Sequence, residues 1–425
     1  MTSTKTKTTA PQHGRLLAEL TCPNCWHRFK PEEVLFISRH DELVGDPIVG
    51  EQAYQRFRPS RFNIAGDALD ARGMTCQQLA CPRCHLEIAR PLIEMAPFFV
   101  SIVGAPSAGK SYFLATMAWQ MRQMASRFGF SFADGDPTAN QELQKYEQLL
   151  FTNTDPDTPI AIRKTDPHDG ALHQTATLDG QTMTFPRPFQ FTISPQPKYF
   201  DTSDRDCPFR SLVLYDNAGE HFQPGADTPG SPVTLHLAES RVAMFVFDPL
   251  QDARFRAHCS SAEPQAAAGA SVSRQEVIFN EMAARIRRYR GLGQAEKHDR
   301  PLVVILAKAD AWLDPAVYNE EPLLEGDPAG LSLATINRVS DHCRDLLAQH
   351  CPEMLDAVEG FARRVVFIPV SALGTSPEKV TQAETSFLGV RPRHIDPHWA
   401  YVPLLWALAM GVPGLVRTDR NRARS

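Results

Sequence analysis

The sequence predicts an α/β protein: a mostly parallel sheet with helices on both faces, plus a small N-terminal zinc-ribbon module. Three observations predict it. From about Ala96 onward, apolar runs of strand length alternate with amphipathic helical stretches, the pattern of a sheet covered on both sides. At one junction of run and helix stands GAPSAGKS, Gly104 to Ser111, which fits the phosphate-cradling pattern G-x-x-x-x-G-K-[ST]. Ahead of both, Cys-Pro-x-Cys occurs twice, at Cys22/Cys25 and at Cys81/Cys84. The sheet is therefore expected to be that of a P-loop NTPase.

Along the chain, residues 1–19 read as a polar, disordered leader without the apolar core of a secretory signal. Residues 20–90 form the cysteine module, with an insert between its two halves. Residues 96–416 form the sheet domain. Its strand candidates are 98–104, 188–194, 211–219, 241–248, 301–310 and 364–373, most of them near-continuous apolar runs as in parallel strands buried on both faces. Helices are expected over 111–127, about 274–290, about 331–347 and near Trp406. Two inserts interrupt the plan. Residues 129–187 hold a helix in ANQELQKYEQLL and a Thr/Asp/Pro-rich loop, and 257–273 is an Ala/Ser-rich linker. Residues 417–425 read as a basic, disordered tail.

The 425 residues carry a net charge of −5, which gives no global reason for nucleic-acid or membrane binding. The longest apolar stretch, Tyr401 to Val416, is too short to span a bilayer and contains two prolines, so it reads as a buried last helix. A cytoplasmic protein is expected.

GAPSAGKS has a physical rationale. Its glycines let the backbone turn several N–H groups toward phosphate, and the helix that follows adds its N-terminal dipole. Contacts to the nucleotide are expected from Gly104, Ser107, Ala108, Gly109, Lys110, Ser111 and Tyr112. Lys110 is expected on the β- and γ-phosphates and Ser111 on Mg²⁺. Hydrolysis needs a carboxylate at a neighbouring strand end to hold Mg²⁺. LVLYDNAG supplies Asp216 there, with Gly219 at D-x-x-G spacing to meet a γ-phosphate.

LAKAD and VSALG stand at the ends of the last two strand candidates. Guanine presents N1–H and N2–H₂ side by side, whereas adenine has an acceptor at N1, so a carboxylate at Asp310 suits guanine. The stem of Lys308 can lie along the ring, and Ser371 and the backbone N–H of Ala372 can serve the base from the following loop.

In order, GAPSAGKS, DNAG, AKAD and SAL resemble the motifs of the small regulatory GTPases of the TRAFAC class of P-loop proteins, over roughly 98–416. With the cysteine module in front, FFVSIVGAPSAGKSYFLATM looks like the double-GTPase proteins of bacterial conflict systems. The resemblance implies GTP/GDP and Mg²⁺ as ligands, low intrinsic turnover and partner proteins of a conflict or signalling system. Two positions depart from the family. Ala307 stands where Asn or Thr is usual. Glu220 stands where Ras-like members have the water-orienting Gln, and His221 is a substitute for it. Thr165 is taken as the switch threonine that sees Mg²⁺.

Two Cys-Pro-x-Cys turns complete a tetrahedral thiolate set, so Cys22, Cys25, Cys81 and Cys84 are read as a structural zinc site. Cys76 and His85 are spare. The insert's YQRFRPSRF interleaves Arg56, Arg58 and Arg61 with Phe57 and Phe62. It suits protein docking, a strand with one solvated face, or, less favoured, nucleic acid. Two rivals to the GTPase reading stay open: a P-loop ATPase, and a scaffold or adaptor that binds nucleotide without turnover.

Overall fold

The computed structural model describes residues 16–162, 173–202, 204, 207–217, 222, 232–257, 259, 274–318, 320–382 and 385–419. Its main sheet has seven strands: β1 (Ala96–Gly104), β2 (Phe130–Asp134), β3 (Phe189–Pro195), β4 (Arg210–Asp216), β5 (Val242–Phe247), β6 (Leu302–Ala307) and β7 (Val365–Val370). The spatial order is β2-β3-β4-β1-β5-β6-β7. Pairings from β4 through β7 are parallel, while β3 is antiparallel to both β2 and β4.

Chain order explains where a ligand would bind. The chain leaves β1 for one side of the sheet and crosses to the other for β5, β6 and β7. The direction of winding reverses at β1, and ligands of open α/β sheets bind beyond the strand carboxyl ends at such a point. GAPSAGKS begins there.

The longer helices are α1 (Lys110–Met124), α2 (Gln141–Phe151), α3 (Pro232–Glu239), α4 (Gln275–Arg290), α5 (Leu333–His350), α6 (Pro352–Phe361) and α7 (Val402–Gly411). They cover both faces. A Cβ on Gly411 of α7 would lie 2.5 Å from the Phe98 ring, whereas Ser240, just past α3, shares a 2.8 Å hydroxyl hydrogen bond with Ser101. Phe98 and Ser101 are an odd number of residues apart and face opposite sides of β1. The central strands are wholly buried, Val242–Phe247 and Leu302–Ala307 throughout, which is why they read as unbroken apolar runs.

Several elements depart from the sequence reading. β2 lies inside the expected first insert, where Phe130 and Phe132 turn inward and Ser131 and Ala133 outward, as on an edge strand. A hairpin, His173–Leu178 with Gln181–Pro186, replaces part of the expected loop. Its Asp179-Gly180 turn has both residues at positive φ, the geometry that suits the twist of a two-residue hairpin.

The leader ends earlier than residue 19, since Leu17 N–H already donates to the Ile93 carbonyl at 2.9 Å. The tail starts later than residue 417. Arg417–Thr418 pair in parallel with Gly330–Leu331, and the Asp419 carboxylate accepts from Ala334 N–H. Among the described residues, no helix is long and apolar enough to cross a membrane.

Candidate nucleotide site and metal centre

The parallel strands bring their carboxyl ends to one edge: Asp216 on β4, Gly104 on β1, then Asp248, Lys308 and Ser371 directly after β5, β6 and β7. Gly104 is fixed by crowding, because a Cβ there would come within 2.5 Å of the Val246 carbonyl oxygen on β5. Gly109 caps α1 with φ +90°, a left-handed conformation that an L side chain strains to adopt. Lys110 Nζ donates to the carbonyls of Gly104 at 2.8 Å and Ala105 at 3.0 Å, so the ammonium lies across the loop's own mouth.

A pocket of about 290 Å³ opens beside this loop. Ser107, Gly109 and Tyr112 line one side, Asp248, Lys308, Asp310 and Ala372 the other, and Ile305, Ala307 and Val370 add apolar surface. Lys308 itself has φ +58°, and its ammonium pairs with Asp248 Oδ2 at 2.7 Å. Asp248 is fully buried, and burial pushes its carboxyl up against the opposing pull of Lys308. Leu250 N–H donates to its Oδ1, so the lysine is aimed by a fixed acceptor.

The Ser371 hydroxyl donates to Asp310 Oδ1 and accepts from Gly374 N–H at 2.8 Å. That sets the carboxylate's orientation. Ala307, lacking a side-chain donor, contributes only its carbonyl, which accepts from the Trp312 indole. Tyr112 Oη accepts from Ile162 N–H at 2.9 Å, tying α1 to the segment that follows α2.

Of the residues singled out from sequence, Gly104, Ser107, Ala108, Gly109, Lys110, Ser111 and Tyr112 form one continuous strand–loop–helix junction. Asp216 ends the adjacent strand, in register with Ile102. Thr165, Gly219, Glu220 and His221 lie outside the described residues. Sequence reasoning missed two features. Asp248 enters the sequence reading only as the last residue of the strand candidate 241–248, although it stands at a strand mouth like Asp216 and Asp310. The second is a hairpin, Glu378–Gln382 with Thr385–Gly389, whose Leu388 and the following Val390 line the pocket.

The cysteines form a second centre. All four sulfurs lie within 4.8 Å of one another, with Cys22–Cys84 and Cys25–Cys81 each at 3.7 Å. A tetrahedral site with zinc–sulfur bonds of ~2.3 Å needs sulfurs about 3.8 Å apart, so the set fits zinc. The two turns are built alike. Trp26 and His85, each just after the second cysteine, adopt φ near +57°, and each donates its N–H to the first cysteine's carbonyl. Asn24 and Arg83 N–H groups point at Cys22 and Cys81 Sγ at 3.4 Å, as thiolates in such knuckles require. Burial, then the three neighbouring thiols, hold Cys22 well above its ordinary pKa, so a cation among the sulfurs would be needed to ionise that thiol. Cys76 and His85 stand apart, at Asp70 and Asp46 respectively.

The cysteine module is docked on the sheet. Trp26 packs on Phe99 with ring centroids 4.4 Å apart, and its indole N–H donates to His236 Nδ1 at 2.6 Å. Burial pushes His236 down to about 3, so its imidazole is neutral and free to accept there. The Tyr215 hydroxyl donates to the Pro23 carbonyl at 2.6 Å, and its ring stacks on His236 at 4.1 Å. The 173–186 hairpin joins in: Ala176 and Phe185 are buried in the module's own core, and Gln174 donates to Asn24.

No known family pattern matches the chain. An alignment of 245 positions, which covers 54% of this chain and 57% of the relative, is 27% identical to the putative ESX-1 scaffolding and assembly protein SaeC of Mycolicibacterium smegmatis. Three solved structures with similarity to the chain carry guanine nucleotides. Aquifex aeolicus Era with GDP·AlF₄⁻ is 14% identical at TM-score 0.26, over 66% of this chain and 53% of Era. Sup35 with GDP is 14% identical at 0.23, over 65% and 38%. The Saccharomyces cerevisiae Ski7 GTPase-like domain with GTP is 11% identical at 0.25, over 75% and 51%. These superpositions are loose.

Proposed function

We propose that the chain binds GTP with Mg²⁺ and hydrolyses it slowly, as a switch whose partners engage the zinc module and the nucleotide-sensing loops. One observation carries the reading: the Lys308–Asp310 turn, steadied by Asp248 and Ser371, faces the Ser107–Tyr112 loop across a single pocket. In this reading Lys110 meets the β- and γ-phosphates and Ser111 and Asp216 hold Mg²⁺. Asp310 accepts from guanine N1–H and N2–H₂, a pattern that adenine cannot offer. Ala372 N–H serves the guanine carbonyl.

Glu220 in place of glutamine puts a negative charge where the attacking water is oriented, with His221 as its substitute and Thr165 as the switch residue. Unassisted turnover of ~10⁻⁴ to 10⁻² s⁻¹ is expected, rising with an activating partner. Zinc at Cys22, Cys25, Cys81 and Cys84 is structural, since four thiolates leave no open position for chemistry. The motif resemblance further suggests a component of a bacterial conflict or signalling system.

Titration with guanine and adenine nucleotides in the presence of Mg²⁺ tests the base assignment. Asp310→Asn is expected to lower GTP affinity by about 1.5–3 kcal/mol, roughly ten- to hundredfold, and leave ATP binding unchanged. Equal binding of the two bases by the native chain would make it an ATPase. A second reading has support from the relative named as a scaffolding and assembly protein: nucleotide held without turnover, with the zinc module as the working end. Sustained phosphate release from GTP would rule that reading out.

A further inference from the structure

We infer that the zinc knuckle is part of the nucleotide switch: Trp26 and the Pro23 carbonyl position the two elements, β4 and α3, that flank the D-x-x-G stretch. The triphosphate-bound state and the seating of the knuckle are therefore coupled. This deepens the guanine-nucleotide reading above and rests on it.

The contacts are specific in place. Tyr215, whose hydroxyl donates to the Pro23 carbonyl, immediately precedes Asp216, the acid assigned to Mg²⁺. Neighbouring residues on a strand project to opposite faces, so the knuckle grips β4 from the side away from Asp216. His236, which accepts the Trp26 indole N–H, lies on α3, the next described helix after Gly219 in the sequence. The two grips are joined, because the Tyr215 and His236 rings stack at 9° between planes. Tyr215 and His236 are both fully buried. A shift of β4 or α3 must therefore carry the knuckle along or leave buried polar groups unpaired, which is the costly outcome.

The knuckle is a rigid partner. Pro23 lies inside the Cys22–Cys25 turn and Trp26 directly follows it, so zinc held by the four cysteines would fix the groups that hold β4 and α3. Trp26 keeps a left-handed backbone at φ +58°, a conformation that persists only where surrounding structure over-determines it. A second anchor points the same way. The hairpin at 173–186 follows the stretch that contains Thr165, and Thr177 N–H donates to the module's Ile48 carbonyl at 2.8 Å. The described elements that follow the two stretches expected to sense the γ-phosphate, the 173–186 hairpin and α3, thus both contact the zinc module.

The test uses the full chain loaded with zinc. Affinities for GDP and for guanosine 5′-(β,γ-imido)triphosphate, both with Mg²⁺, are compared between the native chain and Trp26→Phe, which keeps a ring but deletes the indole donor. Tyr215→Phe, which leaves the knuckle's own residues intact, is the second variant and decides the matter if the first loses zinc. The ratio of triphosphate to diphosphate affinity is expected to change at least about fivefold. Coupling is reciprocal, so in the native chain the triphosphate analogue is expected to shift zinc affinity, read by equilibrium competition with a chelator, while GDP does not. Unchanged ratios in zinc-loaded variants would make the knuckle a passive dock and overturn the inference alone. Failure of the native chain to bind either guanine nucleotide would instead overturn the guanine reading, and the inference with it.

Discussion

Lys110→Ala is expected to lower GTP affinity roughly ten- to hundredfold and to cut any turnover by roughly 10²–10³-fold, the effect of losing one preorganised cationic donor at a phosphate. The structure explains why the lysine matters even before nucleotide arrives. Its ammonium already bonds the Gly104 and Ala105 carbonyls, so the loop is held in its curled form by the group that phosphate will recruit. Alanine favours a helix, and position 110 opens α1, so the substitution should leave the fold intact. Calorimetric titration with GTP and Mg²⁺, paired with a phosphate-release assay, checks both numbers. GDP should suffer less than GTP, because it lacks the γ-phosphate that Lys110 also reaches. Turnover that survives the substitution would place the chemistry elsewhere than at this loop.

The sheet was legible because parallel strands buried on both faces write themselves as unbroken apolar runs. Val242–Phe247 and Leu302–Ala307 are buried throughout; the first was found within a residue at both ends, the second within a residue at its start and three residues too long at its end. The same logic hid β2. An edge strand shows water one face, so Phe130-Ser-Phe-Ala-Asp134 offers only five residues of alternation, directly after Gly129, and read as the start of an insert. Asp179-Gly180 was a readable hairpin signal. It was submerged in a polar stretch whose partners in the zinc module, such as Asn24 and Ile48, lie more than a hundred residues away in sequence. Such a contact leaves no local trace. Trp26 shows the same limit: its neighbours Phe99, Tyr215 and His236 come from three separate places in the chain. The strand-end positions of the loop, Asp216, Lys308 and Asp310 were legible because each closes an apolar run. The pairing of Asp248 with Lys308 was not, because only the fold brings the two to 2.7 Å.

Removing zinc is expected to have the largest effect on stability, and its reach is the informative part. Metal binding of ~10–16 kcal/mol holds structural cysteine sites together, more than a module of this size gains from its own small core. Chelation, or Cys81→Ser, should therefore unfold the module, read as lost hydrogen-exchange protection in the strand pairs Leu20–Thr21 with Arg28–Phe29 and Leu79–Ala80 with Glu87–Ile88. Had the module swung free, the damage would stop there. Instead it should extend to the 173–186 hairpin, whose Ala176 and Phe185 share the module's core, and to β4, where Tyr215 loses its acceptor. Phe99 and Val213 would be bared to water, an apolar face that favours association of chains. On β6 and β7, at the far side of the sheet from β4, protection should persist. A gradient of lost protection running from the knuckle through β4, and fading across the sheet, is the outcome that a docked module dictates. Uniform loss would mean that the sheet cannot fold without the metal, and loss confined to the strand pairs around the cysteines would mean that the contacts of Trp26 and Pro23 contribute nothing to the sheet.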